Sequence, residues 1–416
     1  MEINRDVYLE KLILRRNNGM IKVVTGLRRV GKSYLLFNLF KNNLLENGVD
    51  IKHIILINLD DVNNVKYWEP QALYNHIKDQ IVDEKIYYVL IDEIQFAENF
   101  ELVLNSLLHL GNVDIYVTGS NAKLLSRDII TEFRGRGDQV HLYPLSFKEF
   151  YAAFGGDKAS AFTQYLAYGG LPQIFKMSSH EQKKSYLENL FIETYVKDIV
   201  NRNNVKNDSD LNELLNILSS SIGSLTNPHK LANSFKSIKK SNISSITIDR
   251  YLEYFIDSFL INCASRFDIK GKKYIGTPHK YYFTDLGLRN ARINFRQTEI
   301  THLIENLIYN ELIIRGYSVD VGVINYVERT ETSSTMRKQF EVDFVCNKYD
   351  ERLYIQSAYT LSDSIKVMKE ERSLSKINDS FRKIIITSDP IISHYNEHGF
   401  YLMNIFDFLL NDESIK

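Results

Sequence analysis

The sequence predicts an α/β fold in which a parallel sheet, covered by helices, occupies residues 1–150. Two observations support this prediction. An apolar, β-branched run leads directly into residues 26–33, GLRRVGKS, and a helical stretch follows at once. Another apolar run ends in two adjacent carboxylates within residues 87–93, YYVLIDE. Because the carboxyl ends of parallel strands meet at one edge of a sheet, we expect both segments at a common site there.

Residues 26–33 fit the pattern G-x-x-x-x-G-K-[ST], with a strand before and a helix after, which is the context of a phosphate-binding loop. The two glycines let backbone N–H groups face phosphate oxygens, and the start of the helix adds partial positive charge. Lys32 can reach the β- and γ-phosphates, and the Ser33 hydroxyl can ligate Mg²⁺. The predicted ligands are therefore ATP or ADP with Mg²⁺. The predicted nucleotide-binding residues are consecutive: Gly26, Leu27, Arg28, Arg29, Val30, Gly31, Lys32, Ser33 and Tyr34.

The order of elements around this loop is that of a sheet with covering helices. Strands are predicted at 21–25, 53–59, 87–91, 114–118 and 139–142, and helices at 5–17, 32–45, 70–82 and 100–110. Continuous apolar runs such as HIILINL are typical of strands covered on both faces. This alternation predicts a nucleotide-binding sheet over residues 1–150.

Composition excludes several classes of protein. Of 416 residues, 44% are apolar and 25% charged, and the net charge of −1 provides no overall field for nucleic acid or an anionic membrane. The two cysteines, Cys263 and Cys346, argue against a disulfide scaffold and a cysteine zinc site. No run reaches the roughly 18 apolar residues that a membrane helix needs. We therefore expect a cytoplasmic protein that does not contact membranes.

Polar residues at the ends of later strands are candidate catalytic groups. Asp92 can hold Mg²⁺, often through water, and Glu93 can polarise the attacking water. Ser120 or Asn121 could contact the γ-phosphate or that water, although a helix cap fits them equally well. Arg136, in a glycine-flanked loop, suits a finger that stabilises phosphoryl-transfer charge in a neighbouring subunit. The alternative for Arg136 is a solvated basic loop.

Four segments, VTGLRRVGKSYLL, VLIDEIQ, VTGSNAKLLS and GRGDQVHLYPLSFKEF, together resemble the AAA-type ATPases of the AAA_14 group. These prokaryotic ATPases carry a DUF4143 C-terminal region, and the resemblance covers essentially the whole chain. It implies a P-loop NTPase sheet of the ASCE type, with strand order 5-1-4-3-2. It also implies Glu93 as catalytic base, Ser120 or Asn121 as sensor and Arg136 as finger.

Residues 151–205 are predicted to form a helical lid or linker segment, and residues 206–290 a winged helix-turn-helix. In the first, the sequence YGGLP at 168–172 fits either a lid or a structural turn. In the second, three helices precede two strands that are joined by a basic turn at 270–273. Such a third helix commonly enters DNA, but here its exposed acids would repel phosphates. The basic wing is the better DNA candidate, and a protein-protein role remains the alternative.

Residues 291–416 follow the element order of the PD-(D/E)xK nuclease fold. Proteins of the resembled group often end in a domain of this fold. Asp343 fits the first catalytic position, but Gln356 and Ala358 replace the required glutamate and lysine. We therefore expect a degenerate nuclease domain that is kept for binding or assembly. Glu305 could still be a ligand, which leaves weak metal binding with Asp343 open.

Taken together, these features predict an AAA-type protein that hydrolyses ATP and couples the nucleotide state to its C-terminal modules. One alternative is a nucleotide-gated switch with very slow turnover, and a less favoured one is a metal-dependent nuclease. If Arg136 acts in trans, the protein associates with further copies of itself, and a monomer is the other possibility.

Overall fold

The computed structural model describes residues 3–119, 133, 135–239, 243–296, 299–329 and 335–416. The chain divides into two compact units. The first unit consists of Met1–Pro144, Leu171–Gln173 and Asp257–Phe259. The second consists of Leu145–Gly170, Ile174–Ile256 and Leu260–Lys416.

A parallel sheet forms the centre of the first unit. Its described strands are β1 (Ile21–Thr25), β2 (Ile54–Asn58), β3 (Tyr87–Asp92), β4 (Val113–Thr118) and β5 (Gly137–His141). They lie in the order β2-β3-β4-β1-β5, and every neighbouring pair runs parallel. This is the order 5-1-4-3-2 read from the other edge, so the order that the resemblance implied is confirmed.

Helices cover this sheet. They are Asp6–Ile13, Lys32–Tyr34 with the π-helical Leu35–Phe40 and Lys41–Glu46, Pro70–Lys78 and Phe100–Leu108, with short 3-10 turns at Ile51–His53, Val62–Trp68 and Ile94–Phe96. All six residues of β3 are buried, as its apolar run predicted. Pro70 begins its helix, and the Glu69 carboxylate accepts hydrogen bonds from the N–H groups of Gln71 (3.0 Å) and Ala72 (2.6 Å).

The second unit combines helices with one mixed sheet, which contains both antiparallel and parallel strand pairs. Its described helices are Phe147–Phe154, Lys158–Tyr168, His180–Asn189, Leu190–Val196 (π), Lys197–Arg202, Asp208–Ser220, Pro228–Lys239, Ser245–Asp257, Leu286–Arg292, Ile300–Ile314, Ser364–Leu374 and Ile405–Leu410. The 3-10 helix Pro172–Lys176 begins with residues of the first unit and ends with residues of the second. Its described strands are β6 (Ile261–Asp268), β7 (Lys273–Phe283), β8 (Ser318–Arg329), β9 (Thr335–Lys348), β10 (Glu351–Ala358), β11 (Arg382–Thr387), β12 (His394–Tyr395) and β13 (Tyr401–Asn404). Their order is β12-β13-β11-β10-β9-β8-β6-β7.

The β6–β7 hairpin, which the sequence assigned to a wing, forms the edge of this larger sheet. β6 pairs antiparallel with β7 and parallel with β8, where Arg266 lies opposite Val321. Phe267 packs in the same hydrophobic core as Ile324 and Tyr354. The predicted boundary at residues 290 and 291 lies in the helix Leu286–Arg292, which lies in the chain between strands β7 and β8 of one sheet. The winged-helix and nuclease-like assignments remain predictions.

The YGGLP segment makes the contacts of a packed turn. A Cβ on Gly169 would lie 2.2 Å from a carboxylate oxygen of Asp285, and one on Gly170 would lie 2.4 Å from the Leu145 carbonyl oxygen. The Asp285 carboxylate accepts a hydrogen bond from the Gly170 N–H at 2.7 Å. These contacts favour the structural-turn alternative over a lid.

Along the described ranges, no helix combines the length and the apolar character that crossing a membrane requires.

Candidate nucleotide site

The loop between β1 and the following helix has the backbone that its glycines allow. Gly26 has a φ of 140°, and a Cβ there would lie 2.2 Å from the carbonyl oxygen of Leu142. Gly31, which precedes the helix, has a φ of 100°. Residues that carry a Cβ rarely adopt these backbone angles, so both positions require glycine. The loop can therefore wrap closely around an anion.

Lys32 extends its side chain back into this loop. Its ammonium donates hydrogen bonds to the carbonyl oxygens of Gly26 (3.0 Å) and Leu27 (2.9 Å), and the residue is 5% exposed. Burial lowers the pKa of Lys32 to about 8, although the carboxylates of Glu93 and Asp92 oppose this shift. Carbonyl oxygens carry only partial charge, so a phosphate would offer this ammonium a stronger partner.

Asp92, at the carboxyl end of β3, lies next to Ser33. The carboxylate accepts hydrogen bonds from the hydroxyls of Thr118 (2.5 Å) and Ser33. Burial raises the pKa of Asp92, and these two hydrogen bonds and the Lys32 charge oppose the rise. Mg²⁺ prefers oxygen ligands and commonly takes one or two from protein and the rest from phosphates and water. Asp92 and Ser33 fit that requirement.

Glu93 follows Asp92 in a left-handed conformation, with φ 53° and ψ 53°. Its N–H donates a hydrogen bond to the Thr118 hydroxyl oxygen at 3.0 Å, and its carboxylate accepts one from the Gln95 side-chain amide. The Thr118 hydroxyl, at the end of β4, therefore joins both acidic residues. Residues in such sparsely populated conformations are often held at functional sites by their surroundings.

Comparison with known proteins assigns the chain to a family. Over 392 residues it is 35% identical to an uncharacterized protein of Haemophilus influenzae, an alignment that covers 92% of this chain and 93% of that protein. The chain belongs to the family of that protein. An uncharacterized protein of Methanocaldococcus jannaschii is 29% identical over 422 residues, covering 97% of this chain and 88% of the relative.

Two family matches divide the chain. Residues 18–151 match the AAA_14 family, an AAA domain, so the AAA-type prediction is confirmed for this segment. Residues 159–299 match DUF8612, a domain of unknown function. The match beyond the AAA domain thus differs from the DUF4143 region that the resemblance implied, and that assignment is not confirmed.

Solved structures that align with the chain do so distantly. The Aeropyrum pernix ORC1 protein in complex with DNA aligns with 70% of this chain and 92% of that chain, at 11% identity and a TM-score of 0.30. The S. cerevisiae Hsp104–ADP complex aligns with 76% of this chain and 42% of that chain, at 13% identity and a TM-score of 0.34. Likenesses this distant do not indicate what the present chain binds.

Of the other candidate residues of the AAA domain, Ser120 and Asn121 lie outside the described residues. Arg136 is exposed and directly precedes β5. Ile21 lies opposite Gly137 in the parallel β1–β5 pair, so Arg136 is at the amino end of β1. The phosphate loop follows the other end of this five-residue strand, roughly 13–16 Å away. Action of Arg136 on the loop of its own chain does not fit this placement.

Arg5 supports the loop and was not predicted. Its guanidinium donates hydrogen bonds to the carbonyl oxygens of Val30 (3.3 Å) and Tyr143 (2.7 Å), and the residue is 4% exposed. The sequence contains no signal for this contact, because Arg5 lies in front of an ordinary amphipathic helix. Thr118 was also missed, although its place at the end of a strand next to β3 could have indicated it.

In the second unit, the predicted nuclease positions do come together, but around a lysine. Glu305 and Asp343 both lie beside the Lys280 ammonium, at 2.9 Å and 3.7 Å. The side-chain oxygen of Gln356 accepts a weak hydrogen bond from the Asp343 N–H at 3.4 Å, and its amide donates one to Glu370 at 3.0 Å. Lys280 was not predicted as a member of this group.

Proposed function

We propose that this protein binds ATP with Mg²⁺, hydrolyses it, and uses the nucleotide state to rearrange its C-terminal modules. The main support is the buried Lys32 ammonium, which is held by loop carbonyls beside the hydrogen-bonded pair of Ser33 and Asp92. A cationic donor next to a magnesium-type oxygen pair is what a nucleoside triphosphate requires.

Each residue has a defined task in this proposal. Lys32 binds the β- and γ-phosphate oxygens and neutralises their charge, while Ser33 and Asp92 hold Mg²⁺. When bound, Mg²⁺ supplies further charge neutralisation at the phosphates. Glu93 accepts a hydrogen bond from the attacking water and aligns it with the γ-phosphorus for in-line displacement. Thr118 fixes the carboxylate of Asp92 and the backbone of Glu93.

Association of two or more copies would complete the site. Arg136 is exposed and distant from the loop of its own chain, which supports a role as a finger in a neighbouring copy. Ser120 or Asn121 would sense the γ-phosphate. Light scattering with and without a non-hydrolysable ATP analogue tests this part of the proposal, because a nucleotide-dependent increase in mass is expected. A mass equal to one chain in both conditions contradicts it.

Two variants separate binding from hydrolysis. Lys32→Ala should lose ATP binding in calorimetry, whereas Glu93→Gln should bind ATP and retain it without releasing phosphate. Lys52→Ala, at a side chain that is 58% exposed, is the matched control and should behave as the wild type. If Glu93→Gln hydrolysed ATP at the wild-type rate, Glu93 would not be the base.

Two short segments could transmit the nucleotide state along the chain. Leu171–Gln173 and Asp257–Phe259 belong to the first unit, although they follow its core in sequence. Pro172 lies 4.0 Å from the position of a Cβ on Gly31. The Phe259 ring lies 4.6 Å from that of His141. Leu171–Gln173 leads into the second-unit end of the 3-10 helix Pro172–Lys176, and Asp257–Phe259 directly follows the helix Ser245–Asp257. These chain connections support a covalent route from the loop.

Hydrogen exchange tests this route. Adding ATP to Glu93→Gln should change amide exchange in the helix Ser245–Asp257, and adding it to Lys32→Ala should not. An unchanged exchange pattern in Glu93→Gln, at saturating ATP, contradicts coupling and leaves a site that binds nucleotide without transmitting it.

A second candidate function is a slow switch that binds DNA according to nucleotide state. The basic turn of the hairpin supports it, with exposed Lys272 and Lys273. The ammonium groups of Lys270 and Lys376 lie 5.2 Å and 4.8 Å from the centre of the Tyr326 ring. Cations beside aromatic rings are common on protein surfaces that bind nucleic acids.

Phosphate release with and without duplex DNA separates the two candidates. Fast turnover that DNA does not alter favours ATP hydrolysis coupled to rearrangement of the C-terminal modules. Slow turnover with ATP-dependent DNA binding, weakened in Lys272→Glu, favours the switch. Lys52→Glu is the control for a change in net charge.

A further inference from the structure

A buried lysine lies among three carboxylates in the second unit. The Lys280 ammonium is 2.9 Å from an oxygen of Glu305, 2.9 Å from one of Glu341 and 3.7 Å from one of Asp343. The lysine side chain is 4% exposed, and those of Glu305 and Asp343 are each 12% exposed. We call these four residues the Lys280 cluster. Its members come from β7, the helix Ile300–Ile314 and β9.

Further donors complete the hydrogen bonding of these carboxylates. Glu305 also accepts a hydrogen bond from the Tyr282 hydroxyl at 2.7 Å, and Asp343 accepts one from the Ser357 N–H at 2.9 Å. Buried charges are stable when they are paired and their remaining acceptors are satisfied. The Lys280 cluster therefore has the properties of an ion-pair network that is buried around Lys280, Glu305 and Asp343, with the 36% exposed side chain of Glu341 on its solvent side.

This arrangement differs from what a PD-(D/E)xK site requires. There, carboxylates on adjacent elements leave a place for Mg²⁺, at metal–oxygen distances of about 2.0–2.1 Å. Here an ammonium lies against oxygens of all three carboxylates, and a divalent ion at the same place would be repelled by it. No group of three or more His, Cys, Asp or Glu side chains among the described residues is suited to hold a metal ion. The cluster in its native form does not fit a metal.

We propose that Lys280 is an internal cation that takes the place of a divalent metal in this sheet. The proposal is independent of ATP hydrolysis by the first unit. Lys280 joins the edge hairpin to the helix and strand that carry the acids, so the cluster has a structural role. It also explains why Gln356 and Ala358 stand where a nuclease of this type needs glutamate and lysine, because a site without metal has no use for those two groups.

Removing the ammonium should open a metal site. In nucleotide-free full-length Lys280→Ala, three carboxylates remain, and their combined charge should bind a hard cation. Calorimetry with Mn²⁺ should detect one new site, at least about tenfold tighter than any in the wild type. Lys366→Ala, at an exposed lysine on the second-unit helix Ser364–Leu374, is the matched control and should bind Mn²⁺ as the wild type does.

A further substitution locates the site. Adding Asp343→Asn to Lys280→Ala should abolish the gained Mn²⁺ binding. The proposal is overturned if Lys280→Ala binds Mn²⁺ no better than the wild type. It is equally overturned if the wild type binds Mn²⁺ as tightly as Lys280→Ala and Asp343→Asn alone removes that binding.

A second variant tests the proposal in case Lys280→Ala is unfolded. If Lys280→Ala does not fold, the double variant Lys280→Met with Glu341→Gln removes one charge of each sign and retains Glu305 and Asp343. This variant should still bind Mn²⁺ more tightly than the wild type, and a folded protein without that gain contradicts the proposal. If neither variant folds alone, recovery on adding Mn²⁺ supports it. Failure of both to fold with Mn²⁺ refutes it, since the metal then does not replace the ammonium.

Discussion

Two buried lysines, one in each unit, lie in opposite electrostatic situations. Lys32 is 5% exposed and donates to two carbonyl oxygens, and burial lowers its pKa to about 8. Lys280 is 4% exposed and faces three carboxylates, whose charges raise its pKa despite the opposing effect of burial. The first ammonium is destabilised by burial, which the proposed triphosphate would relieve, whereas the second is neutralised by carboxylates of its own chain. Burial alone therefore does not identify a ligand-binding lysine, and the charge of its neighbours must be counted.

The largest expected effect is at Lys280. Lys280→Met should destabilise the second unit by about 3–5 kcal/mol, because it leaves buried carboxylates without their cation. Native-state hydrogen exchange of β7 and β9 amides measures this change. Lys273→Met should remain within about 0.5 kcal/mol of the wild type. A loss below about 1 kcal/mol at Lys280 would contradict a neutralised network.

The same substitution at Lys32 should have the opposite sign. Burial lowers the folded-state pKa of Lys32 to about 8, well below that of a free lysine, so the charged lysine disfavours the folded state at neutral pH. Lys32→Met should therefore stabilise the nucleotide-free first unit by about 1–3 kcal/mol while removing ATP binding. The single tryptophan, Trp68, lies in this unit and reports its urea unfolding by fluorescence. A destabilised Lys32→Met protein would mean that the carbonyl contacts outweigh burial.

The two sites also differ in how an aspartate is held. Asp343 accepts a backbone N–H, whereas Asp92 depends on the hydroxyls of Thr118 and Ser33. Thr118→Val should cost about 2 kcal/mol in Trp68-monitored unfolding, because the Glu93 N–H loses its acceptor. ATP turnover should also fall, with binding less affected. Thr118→Ser keeps a hydroxyl and should recover most of both, and equal behaviour of the Val and Ser variants would argue against this role.

The smallest expected effect is on the pH dependence of ATP binding. Because the pKa of Lys32 is about 8 without ligand and a phosphate raises it, affinity should fall as pH rises through 8. The expected decrease is about tenfold between pH 7 and pH 9, accompanied by proton uptake on binding. Calorimetry in buffers of different ionisation enthalpy measures both. Lys32→Arg does not titrate in this range and should flatten the profile. A flat profile in the wild type would show that Lys32 is already fully charged.

Local sequence patterns predicted the elements of the first unit and its loop. The glycines, lysine and serine of the predicted phosphate-binding loop all lie within residues 26–33. Their roles could therefore be predicted without knowledge of contacts between distant segments. The order of the five strands came from the resemblance, and the structure confirms it. The carboxylates of residues 92 and 93 were predictable because a strand and its end are adjacent in the chain.

Contacts between distant segments could not be predicted in this way. Lys280 and Glu305 are 25 residues apart, and Lys280 lies in a hairpin that resembles a basic wing when read alone. The pairing of β6 with β8 produces no recognisable residue pattern in either strand. The hairpin was therefore predicted to belong to a separate domain. Thr118 resembles any threonine at the end of a strand until β4 is placed beside β3.

The guanidinium of Arg5 joins the first residues of the chain to the carbonyl of Val30 inside the phosphate loop. The backbone of that loop is thus held partly from outside the strand-loop-helix motif. Deleting the N-terminus through Arg5 would leave every described strand of the first sheet in place. It would still loosen the loop backbone that is proposed to bind a triphosphate. In this protein, the shape of the loop at residues 26–33 depends partly on an arginine that no loop motif includes.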